Sequence, residues 1–192
     1  MAIEYLYPDG DKSTGFTSKG GGDHYIEVDD SYDEPDDDGT YVYRAPTMGS
    51  QDCYTSENHS EGSGTINSLT IYVRAKKTDS KAANAQTVIG IDEVGDTKSD
   101  SHAVTTSYAD YSDEYNQNPW TSSAWTWSEI DNLYIGLAYQ GDSTIRCTQV
   151  YIAVDYTPSA PVASVELSIT NRVNPNGKLM FTGNSNKEIK II

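Results

Sequence analysis

The clearest structural signal in this sequence is a run of alternating side chains within residues 65–76. Apolar residues occupy every second position from Leu69 to Ala75, and polar or aromatic residues stand between them. Because successive side chains of a strand point to opposite faces of a sheet, this period of two predicts a long strand with one buried face. Such a strand needs partners on both edges, so a β-sheet with a core on one side is the first constraint on the fold.

Strand-like segments continue along most of the chain. They are predicted at 3–7, 24–28, 40–43, 87–91, near 103, 107–115, 133–139 and 144–157. Turn residues separate them, including Pro8-Asp9-Gly10-Asp11 and Gln140-Gly141-Asp142-Ser143. About nine strands with almost no helix predict an all-β protein, a jelly-roll-like β-sandwich with a short C-terminal β extension.

Two local patterns add detail to this prediction. Thr126 and Glu129 form a capping box, which predicts a helix of about one or two turns. In the strand that returns along 144–157, the inward-facing positions shift by one residue after Cys147. The shift predicts a β-bulge near Thr148 and Gln149.

The sequence changes character after Thr157, where Thr157-Pro158-Ser159-Ala160-Pro161 resembles a linker. We therefore predict a β-sandwich domain over 1–157 and a linker with strands over 158–192. The strands of the extension are too short to bury a core of their own. They are predicted to dock on a neighbouring subunit as an assembly element, through Val165, Leu167, Ile169, Leu179, Phe181, Ile189 and Ile191.

The charge balance limits the classes of partner. The chain has 29 acidic and 13 basic residues and a net charge of -16, which repels phosphate backbones and anionic lipid. Nucleic acid and membranes are therefore excluded as predicted partners. Residues 1–63 have a net charge of -12 and residues 159–192 a net charge of +2, a contrast that favours head-to-tail association of copies.

An acidic run offers candidate metal ligands. Seven of the ten residues from Asp29 to Asp38 are acidic, and carboxylate oxygens are the ligands that Ca²⁺ prefers. Calcium is the one cofactor considered, and its candidate ligands are Asp29, Asp30, Asp33, Asp36, Asp37 and Asp38. The run lacks the spacing of an EF-hand, so a solvated loop without metal is the alternative interpretation.

All three tryptophans lie within eight residues, at Trp120, Trp125 and Trp127. Exposed aromatic rings are surfaces on which sugar rings stack, so this segment is a candidate carbohydrate-binding site. The alternative is that these side chains fasten the short helix to the sandwich, because tryptophan is highly buried on average.

No catalytic residues are predicted, and we expect a protein that is not an enzyme. His24, His59 and His102 lack metal-ligand spacing, and the sequence contains no common nucleophile or phosphate-binding motif. Cys53 and Cys147 are too few for a metal site, and a disulfide between them is compatible with the sequence but not required by it.

Several stretches carry a resemblance to a known group. They are Tyr-Leu-Tyr-Pro-Asp-Gly-Asp at 5–11, Pro-Asp-Asp-Asp-Gly-Thr-Tyr-Val-Tyr at 35–43, and the segments 64–75, 118–133 and 145–156. Together they resemble uncharacterised jelly-roll-like proteins from phage and metagenomic sequences, over residues 1 to 157. The resemblance implies association with virions or other extracellular assemblies and brings no catalytic residues with it.

Two functions follow from these observations. The first is a structural protein that self-assembles or decorates a virion or extracellular filament, with itself or other virion proteins as partners. The alternative is a carbohydrate-binding or adhesion module that uses the tryptophan segment, with calcium at the acidic loop. Since residues 1–11 have no basic region and no long apolar run, no signal peptide is predicted, and we expect localisation in a virion or extracellular assembly.

Overall fold

Two antiparallel sheets account for most of the computed structural model, which describes residues 1–60, 63–92 and 94–160 and two short strands further on. The described strands are, in chain order, β1 (Ala2–Leu6), β2 (Pro8–Thr14), β3 (Thr17–Ser18), β4 (Val42–Arg44), β5 (Thr47–Ser56), β6 (Gly64–Lys77), β7 (Ala83–Ile91), β8 (Gly95–Lys98), β9 (His102–Ala103), β10 (Ala109–Tyr115), β11 (Leu133–Gly141), β12 (Ile145–Pro158), β13 (Arg172–Val173) and β14 (Leu179–Met180). The described helical residues are α1 (Trp127–Ile130) and a 3₁₀ turn at Tyr25–Glu27. The predicted all-β class is confirmed.

The chain divides into two compact units, Met1–Ser159 and Ala160–Ile192. The first unit contains a sheet of order β10-β6-β12-β4-β3, in which β1 also pairs with β12, and a sheet of order β2-β5-β11-β7-β8, in which β9 also pairs with β7. Side chains from both sheets meet in one hydrophobic core, which is the arrangement of a β-sandwich. In the second unit, β13 pairs antiparallel with β14.

The alternation that predicted β6 is confirmed by its burial. Leu69, Ile71, Val73 and Ala75 are completely buried, whereas the residues between them are partly exposed. β6 lies between β10 and β12, so one face of the strand completes the core and the other faces outward. The alternating side chains of β6 thus contribute to an inner apolar face and an outer polar face of the first sheet.

The predicted bulge in β12 is also confirmed. The register between β12 and β6 shifts between Cys147 and Gln149, and Ile145, Cys147, Val150 and Ile152 all lie in the core. Because of the bulge, the core-facing side chains of β12 point into the core both before and after the register shift.

The capping box of α1 is present as predicted. The Thr126 hydroxyl accepts a hydrogen bond from the Glu129 amide, and the Glu129 carboxylate accepts one from the Thr126 amide. These two bonds satisfy amide groups at the start of the helix, which would otherwise lack partners.

Several predicted boundaries are wrong. The predicted turn Pro8–Asp11 is the beginning of β2, where the chain passes from the first sheet to the second and pairs with β5. The predicted strand at 24–28 is instead the 3₁₀ turn, and the predicted linker begins later because β12 runs through Pro158. No strand was predicted between 43 and 65, but residues 47–56 form β5; three successive residues of that strand, Asp52 to Tyr54, are buried, so the strand shows no alternation.

The disulfide between Cys53 and Cys147 is absent, and both cysteines are free thiols. Cys147 lies in the main core, whereas Cys53 packs with Val88 and Ala138 in a separate cluster. Because Tyr54 points into the main core, its neighbour Cys53 points to the opposite face of the second sheet. Burial raises the pKa of Cys53 to about 11 and that of Cys147 to about 12, so both thiols remain protonated at neutral pH.

The two faces of β6 predict opposite sensitivities to truncation. Ile71→Ala removes a completely buried side chain and should lower the free energy of unfolding by about 3 kcal/mol. Thr70→Ala, on the outer face, should change it by less than about 0.5 kcal/mol. Urea denaturation of both variants measures the difference, and equal losses would contradict the assignment of the faces.

Candidate functional site

The outer face of the first sheet carries ordered rows of polar and aromatic side chains. Residues paired across neighbouring strands project from the same face, so the register defines the rows. One row contains Lys76, Arg146 and Tyr43, and another contains Tyr72 and Tyr151. Arg74 lies between these two rows on β6. The face therefore has a basic end and a tyrosine-rich part.

The acidic loop, residues 29–38, is tied to the basic end of this face. The Arg74 Nε donates to Asp37 Oδ1 at 2.7 Å, and its Nη2 donates to Asp37 Oδ2 at 3.2 Å. One Asp38 oxygen accepts from Lys76 Nζ at 2.6 Å and the other from Arg146 Nη1 at 2.8 Å. Charge-assisted bonds of this kind fix the loop against β6 and β12.

The bulge in β12 provides a second attachment for the acidic loop. The Gln149 amide nitrogen donates to the carbonyl of Asp30 at 3.2 Å and to that of Ser31 at 2.5 Å. The backbone N–H of Val150 donates to the Val28 carbonyl at 2.9 Å. The bulge in β12, which the sequence predicted, is thus a point at which the acidic loop attaches to the first sheet.

The six aspartates predicted to bind calcium have other contacts in the structure. Asp36 accepts from the amide of Thr40, Asp30 accepts from the amide of Asp36, and Asp33 accepts from the Ser31 hydroxyl. Asp37 and Asp38 are paired with basic side chains, and burial raises the pKa of Asp29 and Asp30. Among the described residues, no three or more His, Cys, Asp or Glu side chains converge as a metal site. Five of the six aspartates, Asp30, Asp33, Asp36, Asp37 and Asp38, thus accept hydrogen bonds from different donors within the chain.

The tryptophan segment is a packing element rather than an open platform. Trp125 is 5% exposed, and its Nε1 donates to the Tyr115 carbonyl at 3.0 Å. The Nε1 of Trp127 donates to the Gly64 carbonyl at 3.0 Å, and its ring meets Tyr156 edge to face. Trp120 is partly buried against the core. These contacts fasten α1 to the sandwich, as the alternative interpretation describes, and sugar binding at this segment stays a prediction.

Five tyrosines form a cluster beside the acidic loop. Tyr5 stacks on Tyr32 with ring centroids 4.0 Å apart, and Tyr72 stacks on Tyr151 at 4.8 Å. Tyr7 lies 6.2 Å from Tyr151, which is 9% exposed at the centre of the cluster. Because these rings stack on one another, part of their surface at the tyrosine-rich part of the outer face is already in contact.

An open pocket of about 440 Å³ lies at the basic end of the first sheet. We call it the Tyr43 pocket, and its lining residues are Lys19, Tyr41, Tyr43, Thr78, Thr144 and Arg146. The rings of Tyr41 and Tyr43 meet edge to face at 6.1 Å. Aromatic faces beside hydroxyl and cationic donors are suited to a small polar ligand with some apolar surface.

A buried carboxylate positions one wall of the Tyr43 pocket. Glu27 is 5% exposed and accepts from the amide of Gly20 at 2.7 Å and from the amide of Tyr41 at 3.1 Å. The amide of Lys19 also donates to the Tyr41 carbonyl at 3.1 Å. These bonds hold the backbones of Lys19 and Tyr41 together, so the wall is rigid before a ligand arrives.

The cations of the pocket are themselves held in place. Arg146 lies over the Tyr41 ring at 4.5 Å, and Lys19 Nζ lies 5.1 Å from the centroid of the same ring. The Lys19 ammonium also donates to the carbonyls of Asp38 and Gly39. Cation–π contacts and hydrogen bonds together limit the motion of both side chains.

The three histidines are each paired with one aspartate, which sequence spacing did not indicate. His24 lies 2.8 Å from Asp52, and the other pairs are His59 with Asp131 at 2.6 Å and His102 with Asp113 at 2.8 Å. The Asp52 carboxylate is completely buried and also accepts from the Tyr54 hydroxyl at 2.7 Å. The first pair joins a loop to β5, the second joins the loop after β5 to the end of α1, and the third joins β9 to β10, so the three pairs lie in different parts of the sandwich.

The predicted assembly residues fall largely outside the described structure. Val165, Leu167, Ile169, Phe181, Ile189 and Ile191 are not among the described residues, and Leu179 is described only as part of β14. Assembly through these residues therefore remains a prediction. Within the described part of the chain, no helix is long and apolar enough to cross a membrane.

Comparison with known proteins gives structural similarities only. No protein-family model and no curated protein sequence matches this chain. The C-terminal family 6 carbohydrate-binding module of LamC, a laminarinase from Zobellia galactanivorans, is 13% identical with a TM-score of 0.44, covering 80% of this chain and 100% of that chain. A family 35 carbohydrate-binding module from an environmental isolate is 12% identical with a TM-score of 0.42, covering 82% and 98%.

A third solved structure is the xylan-binding CBM22-1 domain of Paenibacillus barcinonensis Xyn10C. It is 13% identical with a TM-score of 0.40, covering 81% of this chain and 94% of that chain. At these values the similarity assigns no ligand to this protein.

The attachment of the acidic loop predicts different effects for two of its aspartates. Asp38→Asn removes a charge that binds both Lys76 and Arg146, whereas Asp33→Asn changes a residue whose hydrogen bond is to Ser31 within the loop. We expect faster hydrogen exchange at the Gly39 and Thr40 amides in the first variant and little change in the second. Equal exchange in both variants would show that the ion pairs do not hold the loop.

The same contacts predict how the loop responds to acid. The hydrogen bond from Lys76, followed by that from Arg146, lowers the pKa of Asp38 below its ordinary value of 3.8. A lowered folded-state pKa stabilises the loop fully above the unfolded value, and this contribution is lost as the pH falls through the folded value. An NMR titration should therefore find the Asp38 midpoint below 3.8, and a midpoint at or above that value would contradict the pairing.

Proposed function

We propose that this protein is a non-catalytic carbohydrate-binding module whose binding site is the Tyr43 pocket. One observation carries the proposal: aromatic rings, hydroxyl groups and cationic donors converge on one open pocket of about 440 Å³. A sugar ring has apolar C–H faces and a belt of hydroxyl groups. It therefore requires both a stacking surface and several hydrogen-bonding groups from a binding site.

The parts of the pocket correspond to these requirements. Tyr43 extends from the outer face of β4. Thr78 follows the end of β6 and Thr144 precedes the start of β12, and both residues line the pocket. The amide of Thr78 donates to the Thr144 carbonyl at 3.0 Å, so the two turns that carry these hydroxyls are joined. A site assembled on paired strands is preorganised, which reduces the entropy cost of binding.

This proposal keeps the carbohydrate-binding hypothesis but changes its residues. The tryptophan side chains pack within the sandwich and donate to backbone carbonyls of the chain. The aspartates of the acidic loop accept hydrogen bonds from other groups of the chain. The tyrosine cluster is a weaker candidate because its rings stack on one another. The Tyr43 pocket has a vacant volume that a ligand can fill.

A glycan array followed by calorimetry on the bound sugar tests the proposal. Tyr43→Ala removes a ring that lines the pocket and should weaken binding at least about tenfold. Tyr32→Ala is the matched control, because Tyr32 is 43% exposed and lies in the tyrosine cluster outside the pocket. Its affinity should stay within about twofold of the unaltered protein.

The outcomes separate the candidate surfaces. Thermal denaturation of both variants checks that a loss of affinity is not a loss of folding. If Tyr32→Ala weakens binding more than Tyr43→Ala does, the sugar binds at the tyrosine cluster and not at the Tyr43 pocket. If no glycan on the array binds, the carbohydrate-binding proposal is refuted.

A further inference from the structure

We infer that the Tyr43 pocket selects sugars that carry a negative charge, a uronate carboxylate or a sulfate ester, over neutral sugars. This inference rests on the proposed carbohydrate-binding function and narrows its ligand class. It comes from the charges that line the pocket in an otherwise strongly acidic protein.

The composition of the pocket departs from that of the chain. Residues 1–160 contain 27 acidic and nine basic side chains. The lining of the pocket includes two of those nine bases, Lys19 and Arg146, and no acidic residue from the described part of the chain. A concave surface with this lining attracts anions even when the remaining surface repels them.

Nearby carboxylates do not neutralise these cations fully. Asp38 carries one negative charge and binds both Lys76 and Arg146. The acceptors of the Lys19 ammonium are the carbonyls of Asp38 and Gly39, which carry no net charge. Glu27, the buried acid behind the wall, is bound to backbone amides and to the Ser18 hydroxyl. Lys19, Lys76 and Arg146 carry three positive charges against the two negative charges of Asp38 and Glu27, so these five side chains leave one positive charge in excess.

The guanidinium of Arg146 is held beside the pocket by two contacts. Its stacking on Tyr41 at 4.5 Å and its Nη1 bond to Asp38 hold its plane in place. An arginine has five N–H donors, so this anchoring leaves donors for a ligand carboxylate or sulfate. Because the side chain is already ordered, little entropy is lost when the anion binds.

The charge outside the pocket favours sugars over nucleic acid. A chain with a net charge of -16 repels a polymer with one phosphate per nucleotide along its whole length. An acidic sugar residue places one charge in the pocket and surrounds it with neutral hydroxyls, which Thr78 and Thr144 can bind. The pocket thus accepts an isolated anionic group and the surrounding surface rejects dense polyanions.

Matched ligands test the inference directly. Calorimetry compares methyl galacturonoside with its methyl ester, which has the same ring without the charge, and a singly sulfated galactose oligosaccharide with its desulfated form. We expect each charged ligand, or one of the two, to bind at least about tenfold more tightly than its neutral counterpart. The preference should decrease as salt is added, since screening weakens the attraction.

Two variants assign the preference to the pocket. Arg146→Met keeps the apolar stem and removes the charge, so it should abolish the preference by weakening the charged ligand more than the neutral one. Lys98→Met is the control, because Lys98 pairs with Asp96 on another sheet. It should bind as the unaltered protein does. Lys19→Met provides a second test of the pocket if Arg146→Met is found to unfold.

The results distinguish this inference from the proposed function. If neutral and charged sugars bind equally through Tyr43, the inference is wrong and carbohydrate binding stands. If no glycan binds, the proposed function fails first. Tighter binding of a short oligonucleotide than of either charged sugar would overturn the choice of ligand class.

Discussion

The pairing of β6 with β12 is the constraint on which the other features depend. It is the longest strand pair of the described structure, and each strand contributes one face to the core. The same register sets the outward rows, so the positions of Tyr72, Arg74 and Lys76 follow from the burial of the residues between them. Burial of apolar side chains thus determines where the polar surface chemistry lies.

The interruption of that pairing organises the acidic loop. At the bulge, the side chain of Gln149 and the amide of Val150 turn toward the loop and bind its backbone. Arg74, which pairs with Gln149 at the bulge, and Arg146, which precedes the bulge on β12, bind two carboxylates of the loop. The acidic run therefore has a structural explanation that does not need a metal ion, and it brings negative charge to the edge of the pocket without lining it.

Local patterns predicted local structure well. The alternation in β6, the parity shift in β12 and the capping box of α1 each involve residues close in sequence, so each pattern was sufficient for its element. β5 was missed because apolar and polar residues are buried on both of its faces, with Asp52 bound to Tyr54 and His24. The packing of the tryptophans could not be predicted because composition does not tell which face a ring occupies.

The Tyr43 pocket was beyond the reach of those patterns. Its parts come from residues 19, 41–43, 78 and 144–146, which only the strand pairing brings together. The contact of Asp38 with Arg146 spans 108 positions, and no period or motif connects residues so far apart. One sequence signal was available: basic residues are scarce in this chain, and one of them, Arg146, stands between the apolar residues Ile145 and Cys147.

The register of β1 has a mechanical consequence. Ala2 pairs with Tyr156, so the chain enters and leaves the sandwich side by side at the same edge of one sheet. A force that pulls these two points apart loads the backbone hydrogen bonds between β1 and β12 one pair at a time. A shear force along the strands would load all of them together. The sandwich would therefore yield to pulling by peeling β1 away first, although its core strands are fully paired.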